Sequence, residues 1–104
     1  MFEHAVQHIT DEMRRCIDLC QRCHAECLAT VSHCLLLGEQ HAAQSHINTL
    51  LDCAATCATS ADLMLRGSQM HARMCGVCAV ACDRCAQSCE MMAGGDQQML
   101  DCAA

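Results

Sequence analysis

The chain has 104 residues, thirteen of them cysteine, a net charge of −6, one phenylalanine, and no proline, tryptophan or tyrosine. Six lysines and arginines cannot supply the basic face a nucleic-acid binder needs, and a chain so poor in aromatic residues does not favour strands. The length suits one domain, residues 1–104, with a modest core.

The elements follow from the breakers. Good helix formers run from Glu3 to Leu37 and stop at Gly38, a C-terminal cap glycine. A second helix is predicted from Glu39 or His41 to Arg66, closed by Gly67. Ser68 caps a third, from Gln69 to Ala93, broken by Gly94-Gly95. Asp96 can cap a fourth from Gln97, which has only about two turns before Ala104. The fold class is all-α, and short connections make neighbouring helices antiparallel. The first helix is long enough to require a bend or an overhang.

The cysteines follow the helical period. Cys16, Cys20, Cys23, Cys27 and Cys34 lie on the first helix, Cys53 and Cys57 on the second, and Cys75, Cys78, Cys82, Cys85 and Cys89 on the third. Residues three and four apart share a helix face, so each set is a stripe of thiols that a bundle turns inward. On the second helix His46, Leu50, Ser60 or Ala61, and Met64 continue the stripe. On the third, His71 and Met74 precede it and Met92 follows. The sulfur column therefore grades at its ends into methionine and histidine, which are soft or borderline ligands or, for the methionines, gap-filling core residues.

Several chemistries use many thiols. Disulfides do not fit, because Cβ atoms at i and i+4 are ~5–6 Å apart where a disulfide needs ~3.5–4.5 Å, and thirteen is odd. Zinc sites draw on loop knuckles in fours. Ferredoxin clusters use C-x2-C-x2-C-x3-C-P, which Cys75 to Cys85 does not match. Cys20-Gln-Arg-Cys23-His24 is formally a haem-attachment motif, but the longer stripe already accounts for both cysteines. Cu(I) fits best. A low-coordinate ion bridging two thiolates holds the sulfurs roughly 4.5 Å apart, if the ~2.3 Å zinc–sulfur length is borrowed. Five C-x3-C pairs offer that spacing: Cys16/Cys20, Cys23/Cys27, Cys53/Cys57, Cys78/Cys82 and Cys85/Cys89.

The chain resembles the bacterial copper storage proteins of the cytosolic type. The resemblance is carried by Cys16-Ile-Asp-Leu-Cys20-Gln-Arg-Cys23-His-Ala-Glu-Cys27, by Asp52-Cys53-Ala-Ala-Thr-Cys57, and by the run from Cys75 to Met92. It implies an antiparallel four-helix bundle with a cysteine-lined core that loads several Cu(I) ions per chain. It also implies a homotetramer and an open end guarded by histidine or methionine. Where the family has a full cysteine-rich fourth helix, this chain offers only Asp96 to Ala104 with Cys102, so the fourth wall is short or cut off.

The expected ligands are the thirteen cysteines together with His46, Met92 and Met99. Copper is expected to enter where Cys34, His41 and His46 meet Met91, Met92 and Met99, the end bearing Met13, Met64, His71 and Met74 being more plugged. With no apolar run of about 18 residues and no signal-peptide pattern, a cytosolic protein with reduced thiols, no membrane contact and no nucleic-acid partner is expected. No nucleophile–base grouping suggests an enzyme. The rival function is a copper chaperone or thiol-based sensor holding one or a few ions.

Overall fold

The computed structural model describes residues 9–93 and Cys102. Helix α1 spans Asp11–Leu37. Thr10 sets its start: in extended backbone, its Oγ accepts the Met13 N–H at 3.1 Å, and Asp11 and Glu12 complement the positive end of the helix dipole. A helix running in from Glu3 is thereby corrected, since Ile9 and Thr10 are not helical; residues 1–8 lie outside the described residues. Gly38 ends α1 as expected, at φ +73°, and donates its N–H to the Cys34 carbonyl at 3.0 Å. A residue with a Cβ would be strained there.

The second helix starts later than Glu39. A single 3-10 turn occupies Glu39–Ala42, Ala43 turns extended, and α2 then spans Gln44–Leu65. Its end is a Schellman motif: Ser68 N–H bonds to Leu63 O at 2.9 Å and Gly67 N–H to Met64 O at 3.2 Å, with Gly67 at φ +67°. Helix α3 spans His71–Ala93. It begins two residues after the expected Gln69. Ser68 holds a turn first, its Oγ accepting from Met70 N–H at 3.1 Å and its carbonyl from His71 N–H at 3.2 Å. Among the described residues there are three helices and no strand. The fourth helix expected from Asp96 falls outside the described residues except for Cys102, whose backbone is helical.

Helix α2 lies between the other two and packs on both. Its neighbours run antiparallel to it: Cys23 meets Cys53 and Cys34 meets His46 across α1/α2, while Cys53 meets Cys82 and Cys57 meets Cys78 across α2/α3. The central position shows in burial. α2 buries residues from His46 to Met64, whereas α1 buries only Ile17, Cys27, Thr30 and Cys34. The interior has two parts. One is built from Cys27, Cys34, Leu50, Cys53, Ala54, Cys57, Cys78, Cys85 and Cys89. The other is Ile17, Ala61 and Met64, with Ile9, Met13, Cys20 and Cys75 packed against them. No helix among the described residues is long and apolar enough to cross a membrane.

Candidate metal centre

The three stripes meet. Cys53 Sγ lies 3.4 Å from Cys82 and 3.5 Å from Cys23, and Cys57 Sγ lies 3.5 Å from both Cys78 and Cys82. Farther along, Cys27 approaches Cys85 and Cys102, each at 3.9 Å. Within single helices the i,i+4 pairs Cys23/Cys27 and Cys78/Cys82 are 3.9 and 3.8 Å apart. Four groups have all their sulfurs within 4.8 Å of one another: Cys23–Cys53–Cys57–Cys82, Cys20–Cys57–Cys78, Cys27–Cys53–Cys85 and Cys85–Cys89–Cys102. Cys53, Cys57 and Cys85 each belong to two groups, so the groups chain into one column. All thirteen cysteines are free thiols.

The column is accessible along one side. A cavity of about 440 Å³ is lined by Leu19, Cys20, Arg22, Cys23 and Glu26 of α1, by Cys53 and Cys57 of α2, by Cys82 and Cys85 of α3, and by Cys102.

The thiols share protons. Bonds from the Cys23 and Cys27 thiols hold Cys53 well below the ordinary thiol range. Bonds from Cys27 and Cys85 do the same for Cys102, and Cys23 is lowered chiefly by Cys27. Cys20, Cys27, Cys57, Cys82, Cys85 and Cys89 are held protonated. Cys27 and Cys85 are pushed up first by Cys102, and Cys57 by Cys23. Cys89, bonded to Cys102, rises to about 12. Burial leads for Cys82, which is raised, and for Cys20, which rises to about 11. Each S–H···S contact at 3.4–3.9 Å is therefore a place where a soft cation can replace a proton, with the sulfurs moving apart by about 0.6 to 1.1 Å to take it.

A description of copper storage proteins matches residues 9–104. The chain belongs to the copper storage protein family. The crystal structure of the Nmul_A1745 protein from Nitrosospira multiformis is similar in sequence and fold, with 40% identity, a TM-score of 0.79, and 90% of this chain and 91% of that chain covered. No curated protein matches it. Membership in the family and the clustered thiols together support copper binding.

The other expected ligands are spread more widely. His46 is almost fully buried, with Nε2 3.3 Å from Cys34 Sγ and Nδ1 2.6 Å from Ser88 Oγ. Burial, and then the charge of His41, lowers its pKa, which keeps the imidazole neutral and able to ligate. His41 carries a buried Nδ1 with no hydrogen-bond partner among the described residues. Met92 packs half-buried against the thiol cluster, whereas Met91 is exposed. Met99 lies outside the described residues. Cys34 is buried beside His46, and Cys75 bonds to Ser60 Oγ at 3.2 Å. Cys16 is exposed and lines a smaller cavity of about 260 Å³ with Met13, Met64, His71 and Cys75. His24 sits on the α1/α2 flank, and its Nδ1–H donates to Ala54 O at 2.9 Å.

Sequence reasoning missed two hydroxyls beside the column, one buried and one half-buried. Thr30, fully buried, fills the seven-residue gap between Cys27 and Cys34. Ser88 fixes His46 from across the bundle. Thr30 could have been found from the gap in the stripe; nothing local marks Ser88.

Proposed function

We propose that this chain is a single-domain store that sequesters several Cu(I) ions on the thiolates of its column. The observation that carries the reading is the sharing of Cys53, Cys57 and Cys85 between adjacent groups, which suits a chain of bridged ions better than one isolated site. In this reading Cys16, Cys20, Cys23, Cys27, Cys34, Cys53, Cys57, Cys75, Cys78, Cys82, Cys85, Cys89 and Cys102 are ligands. His46, Met92 and Met99 hand copper inward at the Cys34 end. The protein is a cytoplasmic homotetramer whose thiols stay reduced, it catalyses nothing, and Cys102 belongs to a short fourth helix that completes an antiparallel bundle.

An anaerobic Cu(I) titration against a competing chelator tests this. With about two thiolates per ion and sharing between ions, saturation is expected at ~6 to ~13 ions per chain, with proton release on loading. Saturation at one or two ions would mean a chaperone or sensor instead.

A further inference from the structure

Thiol contacts in the column are of two kinds. Along one helix, Cys23/Cys27 and Cys78/Cys82 stand 3.9 and 3.8 Å apart, but the helix holds their Cβ atoms at ~5–6 Å, beyond the ~3.5–4.5 Å a disulfide accepts. Between helices the sulfurs are closer, at 3.4–3.5 Å, and no helical spacing keeps their backbones apart. Spacing along one chain therefore excludes disulfides within a helix and leaves the seams between helices open to them. The Cys23/Cys53 seam is the best prepared. Cys23 is half-buried, and both sulfurs line the side cavity, where a small oxidant can reach them. The next residue on each helix ties the seam: the His24 imidazole donates to the Ala54 carbonyl at 2.9 Å and fixes α1 against α2 at this height. Cys82, also half-buried, divides its contacts between Cys53 at 3.4 Å and Cys57 at 3.5 Å. Oxidation at Cys82 would give a mixture, whereas at Cys23 contact and clamp favour one partner.

We infer that the metal-free protein carries a reversible oxidation site, in which hydrogen peroxide converts Cys23 and Cys53 into a disulfide that joins α1 to α2 and closes the middle of the column to metal. The Cys23 sulfur attacks one peroxide oxygen. The O–O bond breaks, the departing hydroxide takes the thiol proton and leaves as water, and Cys23 becomes a sulfenic acid. The Cys53 sulfur then attacks the Cys23 sulfur. The S–S bond forms, the S–O bond breaks, and a second water leaves with the Cys53 proton. Two thiols have lost two hydrogens and two electrons, and peroxide has become two waters. In a reducing compartment the resting state is the dithiol, and a dithiol reductant reverses the link by exchange. The pair is placed where its loss costs most. Cys23 and Cys53 are half of one four-thiol group, and Cys53 is also shared with Cys27 and Cys85. One disulfide therefore interrupts the chain of bridging thiols at its centre.

The test exposes the metal-free full chain to stoichiometric hydrogen peroxide, quenches with catalase, and alkylates the remaining thiols in denaturant. Trypsin with a glutamyl endopeptidase cuts after Arg22 and Glu26, which isolates Cys23 on a four-residue peptide. Mass spectrometry should find that peptide joined through Cys53, with two of the thirteen thiols lost and both recovered by dithiothreitol. In Cys53→Ser, which lacks the resolving thiol, dimedone should instead trap a sulfenic acid on Cys23. The oxidised wild type should take up at least one Cu(I) fewer than the reduced protein, and reduction should restore the difference. Thiols that all survive peroxide, a link mapped to Cys23–Cys27, to Cys53–Cys82 or between chains, or a loss that dithiothreitol does not reverse overturns the site. A correctly placed disulfide that leaves copper uptake unchanged overturns its effect on the column. The mapping uses no copper, so its failure leaves the storage stoichiometry standing, and a low stoichiometry leaves the mapping standing.

Discussion

Toward the start of α1, Ile17, Ala61 and Met64 close on Ile9 and Met13 as an ordinary apolar cluster. Farther along the same helices, seven of the nine clustered core residues are cysteine. Both regions are built by the same helical spacing, yet they have different energetics. Burying a methionine or isoleucine removes a large apolar surface from water and stabilises by about 1.5–3 kcal/mol. A thiol is a small hydrophobe with a weak donor, and its value lies in reactivity rather than packing. The apolar end therefore anchors the fold, and the thiol column is a cargo space whose own cohesion is modest until it is filled.

Paired substitutions test this division most strongly. Met64→Ala should cost the metal-free protein about 2–5 kcal/mol, lowering the melting temperature by at least ~8 °C, while the Cu(I) capacity stays unchanged. Cys53→Ser should show the opposite pattern. It removes a ligand from two groups and lowers the capacity by one or more ions, while costing the metal-free fold about 1 kcal/mol or less. Thermal melts and chelator titrations on the two variants read both effects, and an exchange of the two patterns would break the distinction.

The pH response is expected to be the next largest. Six thiols, Cys20, Cys27, Cys57, Cys82, Cys85 and Cys89, are held above their ordinary value of 9.0. Three, Cys23, Cys53 and Cys102, are held below it. A thiol whose pKa rises on folding stabilises fully below its unfolded value and loses that contribution as pH climbs through the folded value. For Cys20 that window runs from 9.0 to about 11. The lowered thiols contribute stability that is already complete above 9.0, so they stay constant over this window. The melting temperature of the metal-free protein should therefore fall between pH 9 and pH 11. Copper-loaded protein, its thiol protons already displaced, should be much flatter over the same range. A metal-free melting temperature that rises there would contradict the assignment.

The smallest effect concerns the Cys34 end. Ser88→Ala removes the 2.6 Å contact to His46 Nδ1 and leaves a buried ring nitrogen unpartnered, at a cost of about 1 kcal/mol. A melting-temperature drop of ~4–8 °C is expected, with a capacity within one ion of the wild type. No drop would mean that water replaces the hydroxyl and that His46 is less enclosed than its burial indicates.

The three stripes were legible because a helix repeats every 3.6 residues and the cysteines do too. The stops at Gly38 and Gly67 were legible because only glycine takes those positive φ angles without strain. The start of α1 was not, because residues from Glu3 onward are acceptable helix formers and Thr10 lacks a glutamate partner at Met13 to complete a capping box. Nor was the 3-10 turn at Glu39–Ala42 legible, where propensity alone would carry the helix through.

The amino-acid sequence by itself determined that the protein is helical, that its thiols fall in stripes along helix faces, and which family it joins, since all three depend on residue type and spacing along one chain. Only the tertiary structure decided which thiols share neighbours. Cys16 and Cys34 belong to the same stripe, yet Cys16 is exposed and Cys34 is buried against His46. The register of α2 against α1 and α3 made Cys53, Cys57 and Cys85 the shared members of the column and set Ser88 against His46. Periodicity fixes a direction around one helix axis, whereas a distance between two helices depends on how both pack.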